Sequence, residues 1–116
     1  MDGLIRRGDV WWTDLPTPIG SEPGFRRPVV VVQSDALNDT GTATVVAVPL
    51  TSNLDRAGYP WTLELPPEAS GLRQASVALA HQVAVIDRSS FRARVGRLAP
   101  SALEQIYLAI DLALGR

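Results

Sequence analysis

The run Pro28-Val29-Val30-Val31-Val32 is the part of this 116-residue chain that says most about its fold. Four consecutive β-branched residues favour an extended strand, and the lack of polar residues between them indicates that both faces of the strand are buried. Proline is tolerated at the start of a strand, where its missing backbone donor costs little. The run therefore predicts a central strand of a β-rich fold.

The residues before this run have the pattern of another strand. Residues 8–15 alternate, so that Val10 and Trp12 share one face while Trp11 and Thr13 share the other. Prolines at positions 16 and 18 then end the strand. Tryptophan side chains are usually buried, but Trp11 and Trp12 point to opposite faces of the strand. At least one of them is therefore expected to leave the core of the domain.

Turn residues separate further strands along the chain. Asn38-Asp39-Thr40-Gly41 supplies turn chemistry, and residues 42–50 are again rich in β-branched side chains, which predicts a hairpin. Other short strands are expected at residues 61–65, 76–80 and 82–86, each bounded by turn residues. Several short strands in one domain predict a compact barrel.

The end of the chain changes from strand to helix periodicity. Ser101-Ala102-Leu103-Glu104 has the pattern of a capping box, in which the serine hydroxyl and the glutamate carboxylate satisfy free amides at the helix start. Gly115 suits the left-handed residue that ends a helix. An apolar stripe for packing against the barrel is expected at Leu103, Ile106, Tyr107, Ile110 and Leu114. The predicted fold class is α+β, mainly β, with roughly five to seven strands and one C-terminal helix.

Composition indicates one domain, residues 1–116, in a reducing compartment. The length is close to the common domain size, and no repeat or linker divides the chain. The absence of cysteine excludes disulfides, thiolate metal sites and a cysteine nucleophile. No segment approaches the roughly 18 apolar residues of a membrane span. We therefore expect a cytoplasmic protein without membrane contact.

Charge excludes a protein that coats nucleic acid by bulk electrostatics. The net charge is −1 and the pI is about 5.7, whereas such domains usually have a pI above about 9. Any nucleic-acid contact must then be local. All eleven basic residues are arginines, which bind phosphate through paired donors, although genome base composition explains the same bias. Residues 88–97 carry four arginines, and a run of this kind is usually a solvated face.

Most familiar catalytic signatures are missing. The chain has no GxxxxGK[ST] phosphate loop, no HExxH and no GxSxG, and its single histidine is His81. Metal sites built on His and Cys are excluded by count, and the spacing of the acids shows no magnesium cluster. What remains is a glycine-containing loop, residues 16–27, which carries Glu22 and Arg27 and leads into the valine strand. A loop on a rigid base is a common place for a functional site.

Five short stretches resemble successive blocks of the MazF/PemK family of toxin endoribonucleases. Their order and spacing match that family along nearly the whole chain, which makes the combined signal specific although each block alone is weak. The blocks are Arg7-Gly8-Asp9-Val10-Trp11, Gly20-Ser21-Glu22 with Arg27-Pro28-Val29, Val48-Pro49-Leu50-Thr51-Ser52, Gln82-Val83 with Ile86-Asp87, and Val95-Gly96-Arg97-Leu98.

The resemblance implies a fold, a function and partners. The fold is an SH3-like (PemK/CcdB-like) barrel with a C-terminal helix, in a homodimer whose interface could take one of the tryptophans. The function is that of a type II toxin that cuts single-stranded RNA at short sequences without a metal or cofactor. The partner is a cognate antitoxin with an acidic C-terminal tail that covers the RNA groove, in a complex that also binds DNA.

The resemblance also implies catalytic residues. In this family the 2′-hydroxyl of the RNA is the nucleophile, and the products carry a 2′,3′-cyclic phosphate and a 5′-hydroxyl. Arg27 matches the arginine that stabilises the phosphorane, and Thr51 matches an active-site threonine, although a turn residue at a strand end would look the same. Glu22 is expected to orient Arg27 or to act as the base, unless it is a solvated loop charge.

RNA binding is expected at four further positions: Ser21, Arg26, Ser52 and Gln82. The amide of Gln82 could read a base edge, and in a strand it could equally be a surface position. Exposed tryptophans, with Trp61 as a third candidate, could stack on bases, which is worth about 1–3 kcal/mol per base.

Two positions depart from the family pattern. Relatives commonly carry an acid where this chain has His81, and an imidazole could replace it in proton transfer, unless the histidine is structural. Relatives often carry a basic phosphate contact near Ala84, which this chain lacks. These departures keep an alternative open, namely a non-catalytic SH3-like binding module or a relative of the topoisomerase-inhibiting toxins.

Overall fold

The computed structural model describes residues 4–14 and 26–116. Within them lie seven strands, two one-turn helices and a fifteen-residue C-terminal helix. The strands are β1 (Asp9–Asp14), β2 (Arg26–Val31), β3 (Thr44–Thr51), β4 (Thr62–Leu65), β5 (Ser76–Leu79), β6 (Ala84–Asp87) and β7 (Phe91–Arg97). The helices are α1 (Asp35–Asn38), α2 (Pro67–Ser70) and α3 (Pro100–Leu114).

The strands form one antiparallel sheet in the order β4-β5-β3-β2-β1-β7, and β6 also pairs with β3. The first half of β3 pairs with β6, and its last two residues, Leu50 and Thr51, pair with β5. The strands before and after α1 pair as the predicted hairpin, β2 with β3. Among the strands of the described residues the sheet does not close, but the three neighbours of β3 give the barrel-like arrangement that the sequence predicts.

The valine run supplies two hydrophobic cores, one on each face of the sheet. Val30 and Val32 pack into the core beneath α3, with Leu103 and Ile106 of that helix. Val29 and Val31 enter a second core, which contains Trp11. Burial on both faces is therefore confirmed, although the strand begins at Arg26 and not at the proline.

Two predicted strand boundaries are wrong. Pro28 lies inside β2, at a position where β1 is the neighbour and the pairing with β3 has not yet begun, so its missing amide is tolerated. The strand expected at residues 82–86 begins at Ala84, because Ala80–Gln82 form a 3₁₀ turn that the Val83 amide closes on the Ala80 carbonyl at 3.3 Å. His81 and Gln82 therefore lie in a turn and not in a strand.

The expected capping box of α3 is wrong. The helix begins two residues early, with Pro100 in its first turn and Ala99 in place of Ser101 as the N-cap, and no side chain bonds to the cap. Proline suits that position because it has no amide to satisfy. Ser101 is consequently inside the first turn, where its hydroxyl cannot act as a cap. The C-terminal end is as predicted, with Gly115 in the left-handed conformation.

The apolar stripe of α3 is shorter than predicted. Leu103 and Ile106 are buried, and Tyr107 and Ile110 are half-buried against the same core. The Tyr107 hydroxyl donates to the Val32 carbonyl oxygen at 2.6 Å. Leu114 is 64% exposed, which contradicts its predicted place in the stripe. None of the helices in the described residues is long and apolar enough to cross a membrane.

The carboxylate of Asp9 joins β1 to β7. It is fully buried, and one oxygen accepts from the Arg6 amide at 3.0 Å and from the Trp11 indole at 3.4 Å. The other oxygen receives Nε of Arg94 at 3.2 Å and Nε of Arg97 at 2.9 Å. A buried carboxylate of this kind is stable only with such partners, so these contacts tie β7 to β1, whose pairing contains two register shifts.

Candidate functional site

A cleft of about 620 Å³ opens where the start of β2, the end of β3 and the segment between α2 and β5 meet. Its floor is apolar and includes Trp12, Leu50 and Val95. Three arginines and no carboxylates line it among the described residues. The cleft therefore favours an anionic ligand. Its polar side chains belong to Arg26, Arg27, Thr51, Ser52, Arg73, Gln74 and Ser76.

Arg26 and Arg27 enter the cleft from β2, and β1 fixes their backbone. Arg27 pairs with Thr13, whose buried hydroxyl donates to the Arg27 carbonyl oxygen at 2.8 Å. Arg26 pairs with Asp14, and its Nε lies 3.9 Å from that carboxylate. The Arg26 guanidinium also lies over the ring of Trp12, 5.3 Å from its centroid. Both arginines are thus held at the rim of the cleft.

Thr51 is the last residue of β3, and its backbone pairs with Val77 of β5. Its hydroxyl oxygen accepts a hydrogen bond from the Asn53 amide at 3.2 Å. That contact is typical of a turn residue, so the structural role expected of a threonine here is real. It uses only a lone pair, and the hydroxyl proton stays available for a ligand. The turn role and a catalytic role are therefore compatible at this residue.

The structure brings four of the predicted site residues into the cleft and leaves two outside. Arg26, Arg27, Thr51 and Ser52 line it together. His81 and Gln82 are exposed in the 3₁₀ turn that follows β5 and do not line the cleft. Ser21 and Glu22 lie outside the described residues.

His81 belongs to an exposed cluster of rings. Its ring meets that of Trp61 edge-on, with centroids 6.3 Å apart. Trp61 stacks on Tyr59 at 5.6 Å, with only 13° between the ring planes. Tyr59 is 55% exposed and Trp61 is 37% exposed. Of the other two tryptophans, Trp11 is buried and Trp12 is half-buried, so Trp61 presents the most open indole.

Arg73 and Gln74 form another wall of the cleft, and no sequence pattern pointed to them. The wall is held against β7 by two glycines, one at the end of α2 and one in the strand. A Cβ atom on Gly71, which has a φ of +87°, would overlap the Val95 carbonyl oxygen. A Cβ atom on Gly96 would lie 2.5 Å from the Ser70 carbonyl oxygen. The two backbones can approach this closely because both residues at the contact are glycines. This pair of glycines is the sequence signal that could have located the wall.

The four arginines of residues 88–97 serve other purposes. Arg88 donates to the carbonyl oxygens of Thr42 and Asn38, at 2.9 and 3.1 Å. Arg92 lies 2.7 Å from the Asp14 carboxylate, and the remaining two bind Asp9. This basic run is therefore matched by acids and carbonyl groups of the same molecule. No group of three or more metal-binding side chains occurs in residues 4–14 and 26–116.

Comparisons with known proteins agree on one family. The family described as PemK-like, MazF-like toxin of type II toxin–antitoxin system matches residues 6–114. Endoribonuclease MazF6 of Mycobacterium tuberculosis is 35% identical over 103 residues, which cover 89% of this chain and 90% of the relative. The crystal structure of MazF from Deinococcus radiodurans has a TM-score of 0.78 and 29% identity, covering 99% of this chain and 100% of that one. A mycobacterial endoribonuclease in complex with its cognate antitoxin has a TM-score of 0.76 and 25% identity, covering 96% and 95%.

Proposed function

This chain belongs to the PemK-like, MazF-like toxin family of type II toxin–antitoxin systems, and we propose that it acts as an endoribonuclease on single-stranded RNA. The observation that carries the proposal is the cleft that Arg27 and Thr51 line together with two further arginines. Among the described residues, no carboxylate lines it. Such a cleft attracts a phosphodiester, and the two side chains offer the donors that phosphate cleavage requires.

The proposed reaction uses the RNA's own 2′-hydroxyl as nucleophile. Its oxygen attacks the adjacent phosphorus, the bond from phosphorus to the 5′-oxygen breaks, and the products carry a 2′,3′-cyclic phosphate and a 5′-hydroxyl. Negative charge builds on the two non-bridging oxygens as the phosphorane forms. The guanidinium of Arg27 supplies paired, permanently charged donors to those oxygens, and the hydroxyl of Thr51 donates to one of them.

Proton transfer needs a base for the 2′-hydroxyl and an acid for the leaving 5′-oxygen. We assign the first role to Glu22 or to His81. Glu22 is five residues before Arg27 in the sequence, and we propose that it orients that arginine as well. His81 carries an imidazole that can accept a proton, but it lies beside Trp61 and not in the cleft. A base role for His81 therefore requires bound RNA or a second protomer to complete the site.

The remaining contacts concern binding and partners. Arg26 and Ser52 line the cleft and are proposed to hold the RNA backbone. Ser21, which lies outside the described residues, is proposed to contribute to the same binding. Gln82 is proposed to read a base edge next to the exposed rings of Tyr59 and Trp61. We further propose a cytoplasmic homodimer, inhibited by a cognate antitoxin whose acidic tail occupies the cationic cleft.

Incubation of the purified protein with long unstructured RNA in EDTA tests the proposal. We expect cleavage at a short recurring sequence, with 5′-hydroxyl ends that a polynucleotide kinase can phosphorylate and 3′-ends blocked by cyclic phosphate. Replacing Arg27 with Ala should lower kcat by about 100-fold or more, because charge on the phosphorane loses its main donor. Arg116→Ala is the control, since that arginine pairs with Asp111 at the end of α3.

Other outcomes would contradict the proposal. Intact RNA across varied sequences, or products with free 3′-hydroxyl ends, would rule out this reaction. Growth arrest with intact transcripts, retained by Arg27→Ala, would identify a toxin that acts by binding alone.

A further inference from the structure

Arg73 has no role in the chemistry described above, yet it lines the same cleft as Arg27 and Thr51. We propose that Arg73, with Gln74 beside it, forms a second phosphate subsite, which holds a phosphodiester next to the one that is cleaved. The proposal rests on the proposed function, because it places a second part of the same RNA in the same cleft.

The availability of the Arg73 side chain is the first argument. Within residues 4–14 and 26–116, its guanidinium forms no hydrogen bond or ion pair, and the side chain is exposed. Every other arginine except Arg56 has a partner in the folded chain. Arg56 does not line the cleft. Arg73 is therefore the arginine that combines an unused charge with a place in the cleft.

The backbone around Arg73 is the second argument, because it is fixed on both sides. The Leu72 side chain is buried in the core, and its amide donates to the Ser70 hydroxyl at 3.1 Å. The Ser76 hydroxyl donates to the Gln74 carbonyl oxygen at 3.2 Å. A guanidinium on such an anchored backbone loses less conformational entropy when it binds a ligand. The backbone at Arg73 is therefore already ordered, and only the side chain has to be fixed when a phosphate binds.

The position of Arg73 along the chain is the third argument. Thr51 pairs with Val77, and Arg73 lies four residues before Val77 in the chain. Four residues of extended chain span at most about 14 Å, so Arg73 lies within that distance of Val77. A single strand of RNA whose reacting phosphate lies at Thr51 must continue out of the cleft in two directions. Arg73 is within reach of a neighbouring phosphate on one of them, and its planar fork of donors matches two phosphate oxygens.

The test measures binding separately from cleavage, in the full-length protein. Binding is measured with a single-stranded oligodeoxynucleotide, which has no 2′-hydroxyl and cannot be cut by the proposed reaction. Cleavage is measured with the RNA of the same sequence. Arg73→Ala, Arg73→Lys and Arg73→Gln are compared with Arg56→Ala, the matched control, and thermal melting of each variant checks that it is folded.

We expect Arg73→Ala to weaken binding and raise KM by roughly tenfold, while kcat stays within about twofold of the parent value, since a lost charged hydrogen bond acts on binding alone. The slope of log Kd against log salt should fall by about 0.7, the amount for one phosphate contact on a single strand. Arg73→Lys should recover part of the affinity, Arg73→Gln should not, and Arg56→Ala should match the parent.

Four results would overturn the subsite. A folded Arg73→Ala protein with unchanged affinity and salt slope excludes it, even if the parent cleaves RNA normally. A large fall in kcat at unchanged KM would place Arg73 in the reaction itself. If Arg73→Ala lost binding to a synthetic polyglutamate peptide but kept oligonucleotide binding, Arg73 would be assigned to a partner that carries carboxylates. An equal loss of oligonucleotide affinity in Arg56→Ala would show that the effect comes from the net charge of the protein and not from the position of Arg73. If the parent cleaves no RNA, the proposed function fails, and oligonucleotide binding still decides the role of Arg73.

Discussion

His81 is the residue whose proposed role depends most on what surrounds it. Its ring lies against Trp61 at the end of β5, so a structural role in the ring cluster and a role as base predict different consequences of mutation. If His81 takes the 2′-hydroxyl proton, His81→Ala should lower kcat by about 100-fold or more and change the pH profile of kcat, because the base is gone. The measurement is the pH profile of single-turnover cleavage.

Trp61→Leu is the control for this experiment, because it removes the ring that His81 contacts and leaves the imidazole in place. If His81 serves only to support the cluster, both variants should lose thermal stability together and keep the parent pH profile. That result would leave Glu22 as the proposed base.

At the level of single residues, the site could be predicted only through the resemblance to the MazF/PemK family, because an arginine or a threonine alone has several structural uses. Arg27 and Thr51 were predicted as a pair, and the structure brings them into one cleft. Arg73 was not predicted, because its proposed role depends on its having no partner among the described residues. The sequence does not show which arginines are paired, as Asp9 and Asp14 are with arginines of β7. Pairing between residues as far apart in sequence as Asp9 and Arg94 is a property of the fold.

At the scale of elements, the contact between α2 and β7 is the feature most open to test. Gly71→Ala introduces a methyl group against the Val95 carbonyl oxygen at a positive φ, and we expect a loss of about 2–4 kcal/mol in unfolding free energy. Gly41→Ala is the matched control, since Gly41 also has a positive φ but has no atom within 4 Å of the position that a methyl group would take. It should lose only about 1 kcal/mol.

Urea unfolding measures both losses, and cleavage kinetics add a second readout. A displaced α2 should also displace the wall that carries Arg73, so Gly71→Ala should raise KM where Gly41→Ala does not. Equal losses in the two variants would mean that the close approach of the backbones contributes nothing.

The elements themselves were predictable to different extents. The valines of β2 were identified correctly because a β-branched run has few alternatives to a buried strand. The capping box failed because Pro100 competes for the start of α3 and is equally suited to it. The turn at Ala80–Gln82 was missed because apolar residues flank it on both sides, so periodicity gives no sign of the break.

At the scale of the whole molecule, acid stability is expected to depend on Asp35, which ties α1 to the segment before β1. Its carboxylate accepts from the Arg7 amide at 2.7 Å and from the Asn38 side chain at 3.1 Å, and Arg6 lies 3.2 Å away. The hydrogen bond from the Arg7 amide, followed by that of Asn38 and the charge of Arg6, holds the pKa of Asp35 below its usual value.

The sign of the effect follows from that direction. A depressed pKa in the folded state contributes stability above the ordinary carboxyl value, about pH 4, which is lost as the pH falls through the lower folded value. The unfolding free energy of the parent should therefore exceed that of Asp35→Asn at pH 7, and the difference should shrink below about pH 4. Urea unfolding at a series of pH values measures it. A difference that stays constant from pH 7 to about pH 3 would contradict the role of the ionised group.

Net charge says little about the chemistry of this molecule. A total of −1 conceals a cleft lined by three arginines, because acids elsewhere cancel them. The sequence predicted that any contact with nucleic acid must be local, and the cationic cleft has that property.

The ends of the sheet carry a further consequence. β4 and β7 each end the path of strands in the described part of the chain, and an open strand edge invites another molecule to add to it. β7 presents Arg92, Arg94 and Arg97 along its length, and their carboxylate partners belong to β1 of the same molecule. Two such edges brought together would place three guanidinium groups against three others, while only two carboxylates of each molecule, Asp9 and Asp14, offset their charge. The arginines that hold β7 to β1 thus also discourage aggregation through this edge.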